Sequence, residues 1–341
     1  MLFRSPDSIR PLSQRVRYNS ELQSLDSTVH DYYGMGKGQI ESLNGRKLHN
    51  LGFMGQGMTI AVLDAGFMNV DKIAAFRNLN IKGTHNFVAG YDNDVYKEMD
   101  HGTKTLSTIA MNQPTVFVGT APKADFWLLR TEDYSTESPA EEDFWIAAVE
   151  FSDSVGVDII SSSLGYHGFD DISMNYRYSG LNGRTAAISQ AASRLASKGI
   201  ILVNSAGNDG MGTWKKINVP ADAHDILTVG AVSLDKVNAP FSSIGPTADG
   251  RIKPDVMAYG CPTNVVSGRG YIIPDNGTSF ACPLIAGMVA CLWQACPNKS
   301  AKEIIDIIRQ SGNNCQSPDN IMGYGIPDFW SAYQSATRYN Q

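Results

Sequence analysis

The sequence predicts an α/β fold in three layers, doubly wound about a mainly parallel central sheet. Three observations predict it. Short, continuous apolar runs recur along the chain, as strands buried on both faces require. Between them lie segments whose apolar residues recur at helical spacing. No long polar break interrupts the alternation, so repeated βαβ units in one main domain follow. Of the 341 residues 43% are hydrophobic and only 18% are charged, which is enough to fill a large core.

The elements follow in order. Residues 1–45 are polar, rich in Arg, Ser and Asp, and weakly periodic; they read as an N-terminal extension or propeptide remnant, with residues 46–338 as the folded domain. Residues 58–63 form a continuous apolar strand that ends at Asp64. A helical pattern covers 101–112, a strand 124–129, and a helix 141–154 with Phe144, Trp145, Ala148 and Val149 on one face. A strand at 157–160, a helix at 185–197 and strands at 199–203 and 226–229 continue the alternation. The apolar stretch 281–295, interrupted by Pro283, reads as a buried helix, and 302–310 as a further helix. In such sheets reactive groups gather beyond the carboxyl ends of the strands.

Charge and composition narrow the function classes. The formal net charge is −6 and no Lys/Arg cluster stands out, which weighs against nucleic acid or an anionic membrane as partner. No apolar run of about 18 residues is evident, so no membrane span is expected. Residues 1–20 contain no apolar core of signal-peptide length. The five cysteines, Cys261, Cys282, Cys291, Cys296 and Cys315, are too few and too dispersed for a disulfide scaffold and include no CxxC pair for zinc. Cys282 and Cys291 read as small buried thiols, whereas Cys296 and Cys315 flank one helix and can pair.

Three short stretches share one chemical logic. Ala61-Val62-Leu63-Asp64-Ala65-Gly66 places a partly desolvated carboxylate at a strand's carboxyl end. Asp100-His101-Gly102-Thr103 places an imidazole in the first turn of a helix. Asn276-Gly277-Thr278-Ser279-Phe280-Ala281-Cys282-Pro283 places a serine where a loop enters a buried helix, with Pro283 where the first amides have no intrahelical partner. A helix N-terminus favours the negative charge that develops during acyl transfer. Alone, each residue has an ordinary role as cap or turn former. Together, and in the order Asp, His, Ser, they match nucleophilic catalysis of one particular chain order.

These stretches closely resemble the three active-site motifs of the subtilisin-like serine proteases, the subtilase family, over roughly residues 50–335. The resemblance implies a subtilisin-like fold and a serine endopeptidase with Asp64, His101 and Ser279 as the triad. It assigns the side-chain oxyanion donor to Asn208, in Val203-Asn204-Ser205-Ala206-Gly207-Asn208. It assigns peptide binding to Ser163, Leu164 and Gly165 on one side and Ser205, Ala206 and Gly207 as a wall of the P1 pocket. Residues 218–222 then lie near the back or rim of that pocket, with Asp222 a solvated carboxylate or a partner for a basic P1 side chain. The texture is that of secreted members from Bacteroidetes-type bacteria. The resemblance further implies peptide or protein substrates, an inhibitory propeptide, no cofactor for the chemistry and no metal in the site; a structural Ca²⁺ is common in the family, and Asp92, Asn93, Asp94 and Asp100 read either as candidates for one or, as Asp/Asn-rich loops usually are, as a solvated turn. The chain departs from the family at Lys104-Thr105-Leu106 and at Phe280; both departures are expected to reshape the rim without touching proton transfer. The alternatives are a catalytically silent peptide-binding protein of the same fold, a transpeptidase or cyclase, and an esterase. The last lacks its Gly-x-Ser-x-Gly elbow here.

Overall fold

The computed structural model describes residues 17–18 and 31–338. Its centre is a seven-stranded sheet, all of whose pairings are parallel. In chain order the strands are β1 (Arg17–Tyr18), β2 (Thr59–Asp64), β3 (Asn80–Asn86), β4 (Asn112–Gln113), β5 (Phe117–Val118), β6 (Asp125–Arg130), β7 (Ile159–Ser162), β8 (Ile201–Ser205), β9 (Leu227–Ser233), β10 (Val256–Cys261), β11 (Thr263–Val266) and β12 (Tyr271–Asp275). The large sheet runs β10-β9-β8-β7-β2-β6-β3, so the order reverses around β2. β11 and β12 form an antiparallel hairpin that β1 joins in parallel, and β4 and β5 pair alone. β3 lacks a continuous apolar run, which is why the sequence pattern passes over it, whereas the run Val256–Tyr259 of β10 was missed.

The helices are α1 (Lys37–Ser42), α2 (Arg46–Asn50), α3 (His101–Ala110), α4 (Ala140–Ser154), α5 (Ala187–Ala192), α6 (Thr278–Ala295), α7 (Ala301–Gln310) and α8 (Phe329–Arg338). Alternating residues of each central strand feed two separate cores. Ile60 and Val62 of β2 pack with Leu106 and Ile109 of α3 and with Ile285 and Val289 of α6. Ala61 and Leu63 pack with Trp145 and Ala148 of α4 and Ile188 of α5. Two cores on two faces give the three layers the sequence predicts. The expected helix at 185–197 is shorter: α5 ends at Ala192, and a single tight turn follows over Ala196–Lys198.

Tyr33, Ile40 and Leu43, read from composition as part of an extension, are buried in the larger core. Most of that expected extension, residues 1–16 and 19–30, lies outside the described residues. Helix α6 is long and apolar enough to cross a membrane by length and composition, contrary to the sequence expectation that no run reaches that length, but it is a core helix, mostly buried in the protein. All five cysteines are free, so the pairing of Cys296 with Cys315 is not formed.

Candidate active site

Asp64 ends β2, at the carboxyl edge of the sheet beside the strand reversal, and is fully buried. His101 opens α3, whose first turn lies directly against the loop after β2. Gly102 makes this approach possible: its amide donates to the Gly66 carbonyl at 2.9 Å, and a Cβ at Gly102 would sit 2.4 Å from that same oxygen. The result is a 2.7 Å hydrogen bond from His101 Nδ1–H to Asp64 Oδ1. The Ala65 amide donates to Oδ1 at 2.8 Å, and the buried Thr105 hydroxyl donates to Oδ2 at 3.0 Å. Within the departure at 104–106, Thr105 lies one helical turn after His101 and so faces the same carboxylate. Lys104 instead pairs with Asp100 and Asp275.

The His101 side chain is 31% exposed, and its ring lies 5.7 Å from that of the buried Phe280. Burial pushes the imidazole pKa down, but the charge of Asp64 and its hydrogen bond more than reverse this, and the net shift is upward from 6.5. Fixing Nδ1–H on Asp64 leaves Nε2 as the ring's free acceptor.

Ser279 is the second residue of α6 and is 7% exposed. Its hydroxyl donates to the Ser163 carbonyl at 3.4 Å, and among the described residues no hydrogen bond joins it to His101. Hydrogen bonds of this kind are often long or misaligned before substrate enters. Pro283 has a role the sequence reading misplaced. It lies well inside α6 rather than among the first free amides, so it deprives the Ser279 carbonyl of its i+4 donor. That carbonyl accepts from the Ser163 hydroxyl at 2.8 Å instead, which ties the segment after β7 to the turn that carries Ser279.

Asn208 follows β8 and is exposed. Its Oδ1 accepts from the Thr278 amide at 2.9 Å and from the Thr278 hydroxyl at 3.0 Å. This double contact fixes the carboxamide with its oxygen toward Thr278, leaving the NH₂ group with no protein acceptor among the described residues. Thr278 escaped the sequence reading as a positioning residue, although it stands inside the serine motif. Gly207 reaches Asn208 through φ +109°, a left-handed conformation that side chains disfavour, and its amide donates to the Thr278 hydroxyl at 3.3 Å.

The two segments expected to hold a peptide lie on neighbouring strands. Ser163, Leu164 and Gly165 leave β7, Ser205 ends β8 with Ala206 and Gly207 after it, and β7 pairs with β8. Asp222 departs from both readings made of it. It is fully buried and accepts from the Ser189 hydroxyl and the Gly183 amide, so it is neither solvated nor open to a basic side chain. Burial raises its pKa despite those hydrogen bonds.

The Ca²⁺ candidates do not fit a metal. Asp92 and Asp94 both face the Lys97 ammonium, the Asn93 side-chain oxygen accepts from the Asn86 amide, and Asp100 binds Lys104 and the Gly268 amide. No group of three or more His, Cys, Asp or Glu side chains converges among the described residues.

The chain is 29% identical over 283 residues to subtilisin NAT of Bacillus subtilis subsp. natto, covering 82% of this chain and 67% of the relative. It is 27% identical over 280 residues to subtilisin DY of Bacillus licheniformis, covering 81% and 90%. Among solved structures, MycP1 from Mycobacterium smegmatis superposes with a TM-score of 0.68 at 20% identity, over 91% of this chain and 86% of that one, which establishes the shared fold. The profile described as the subtilase family, Peptidase S8, matches residues 55–325, and the chain therefore belongs to that family of serine endopeptidases.

Proposed function

We propose that Ser279 is the nucleophile, His101 its general base and Asp64 the carboxylate that orients and stabilises the imidazole. The 2.7 Å bond between His101 and Asp64, with the His101 ring 5.7 Å from that of Phe280 in the first turn of α6, carries this reading. Ser279 attacks the scissile carbonyl while His101 Nε2 takes its proton. The developing oxyanion is held by the Asn208 side-chain NH₂ and the Ser279 amide. His101 then protonates the leaving amine, and water repeats the sequence on the acyl-enzyme. The substrate backbone lies along Ser163, Leu164 and Gly165 as an added strand, with Ser205, Ala206 and Gly207 beside its P1 residue. No cofactor is needed for this chemistry. The filled positions 64, 101, 208 and 279 disfavour a silent peptide-binding protein.

Likeness to subtilisins supports peptide and protein substrates and action outside the cytoplasm. One MycP1 structure is described with its N-terminal propeptide removed; an inhibitory propeptide acting on this chain is part of the same proposal. The test is labelling by a fluorophosphonate together with cleavage of a denatured protein substrate. Wild type is expected to show both and Ser279→Ala neither. Undiminished cleavage by Ser279→Ala would end the assignment.

A further inference from the structure

The strands on either side of β2 send their following segments past its end. β7 and β6 flank β2 in the sheet and all three run parallel, so residues 163–166 and 131–139 emerge beside Asp64 from opposite sides. The Thr131 amide donates to the Asp64 carbonyl at 3.1 Å. A side-chain bond spans the gap between the two segments: the Tyr166 hydroxyl donates to Glu132 Oε1. Tyr166 is only 1% exposed, and its backbone exchanges hydrogen bonds of 2.8 and 3.0 Å with Val219.

Both ends of this bond are anchored. Glu141, in the first turn of α4, is buried, and its carboxylate accepts from the Asp133 amide at 2.8 Å and the Ser138 amide at 3.1 Å, which holds the loop that carries Glu132. The Tyr176 hydroxyl donates to Glu142 Oε2 at 3.0 Å and its amide to the His167 carbonyl at 2.9 Å, so the chain that leaves Tyr166 is pinned to the same helix turn. Ser163, three residues before Tyr166, exchanges hydrogen bonds of 2.8 and 3.4 Å with Ser279. A continuous path thus runs from Glu132 through Tyr166 and the segment 163–165 to the serine. Burial raises the Glu132 pKa well above the usual carboxylate value; the charges of Glu141, Glu137 and Asp64 add to this, and the Tyr166 hydrogen bond only partly opposes it. The group is biased toward its neutral form, which an amide reproduces.

We propose that Tyr166 and Glu132 are a positioning pair: their bond aligns the segment 163–165 for an incoming peptide, and so acts on long peptides far more than on substrates too short to use that segment. This rests on the reading of Ser279 as nucleophile and of 163–165 as the edge to which the peptide adds. β7 stops at Ser162, and beyond it the ladder of the sheet no longer fixes the backbone. Asn204 Nδ2 holds the Leu164 carbonyl at 3.1 Å, and Tyr166 fixes the far end. Being buried, Tyr166 acts through the segment rather than on the substrate. A loose segment must be ordered each time a peptide binds, and holding it in place beforehand removes that cost. Loss of one such hydrogen bond corresponds to about a tenfold effect.

The test compares thiobenzyl esters of an acetylated tetrapeptide and of a single acetylated amino acid, both carrying the P1 residue that wild type cleaves best in denatured casein. The proteins are wild type, Tyr166→Phe, Glu132→Gln and Glu132→Ala, and the extent of fluorophosphonate labelling reports that each is folded with a competent Ser279. Wild type is expected to prefer the tetrapeptide in kcat/KM. Tyr166→Phe and Glu132→Ala should lower that preference about tenfold, chiefly through KM, and Glu132→Gln should retain it. A purely structural loss would lower both esters together. The proposal is overturned by a labelled Tyr166→Phe with undiminished preference, by both esters falling in step, or by a Glu132→Gln no better than Glu132→Ala. Loss of label in all three variants would overturn it too, since the pair would then hold the fold rather than the segment. Absence of label on wild type would overturn the assignment of Ser279 instead, and a labelled wild type indifferent to peptide length would overturn the reading of 163–165.

Discussion

The pair Asp64 and His101 sets how activity should respond to pH. The base must be neutral to accept a proton, and its pKa is raised from 6.5 chiefly by Asp64 acting against burial. Activity is therefore expected to rise with pH through a midpoint above 6.5, and a kcat/KM profile flat from about pH 5 to 9 would contradict a histidine base. Thr105 modulates this. Its hydroxyl disperses the charge on Asp64 Oδ2, so Thr105→Val should let the carboxylate hold the imidazolium more tightly and move the acidic limb to higher pH, with about a tenfold fall in kcat/KM. Thr105→Ser should restore both; a purely structural loss would lower activity without moving the limb. Asp64, His101, Ser279 and Asn208 were legible in the sequence because each stands in a short motif at an element boundary. Thr105 and Thr278 were not, because a threonine in or beside a motif carries no mark of the acceptor it will meet. Asp222 was misread because a carboxylate near a loop looks solvated until its donors, Ser189 and Gly183, are known from the fold.

At the scale of elements, α6 meets the rest of the protein where Gly287 packs against residues 120–121. A Cβ there would lie 2.0 Å from the Thr120 hydroxyl oxygen and 3.1 Å from the Ala121 nitrogen. Gly287→Ala gains helix propensity but must displace backbone, and is expected to destabilise by about 1–3 kcal/mol or more. A urea midpoint equal to or above wild type would show that the contact yields easily. Because the same helix carries Ser279, activity of the folded variant should fall as well. Continuous apolar runs revealed β2, β6, β7, β8 and β9 to within a few residues. They missed β3, whose burial alternates along an edge strand, and β10, which reads Val-Met-Ala-Tyr-Gly-Cys with few branched residues. An edge strand with one covered face, as β3 is, loses the continuous pattern that marks the centre.

Over the whole molecule, His49 couples the segment before β2 to the opposite side of the larger core. Its Nε2–H donates to the Thr120 carbonyl at 3.0 Å, and its Nδ1 faces the Tyr33 hydroxyl at 3.1 Å. The side chain is 6% exposed, and burial, only partly opposed by the Thr120 carbonyl, depresses its pKa to about 4. The unfolded chain therefore binds a proton that the folded one refuses between about pH 6.5 and 4, so stability should fall as pH drops through that window. The loss is about 3 kcal/mol. Urea titrations at pH 7 and 4 should show a pH dependence shallower by about that amount in His49→Gln; equal dependence would clear His49 of the effect. The larger plan of the fold has another consequence, in time rather than energy. Ser279 sits on a helix that lies at the heart of the protein and follows Asp64, His101 and Asn208 in the chain. With Ser279 as the proposed nucleophile, a ribosome-bound chain that has not yet reached α6 holds Asp64, His101 and Asn208 without it and cannot cut polypeptides.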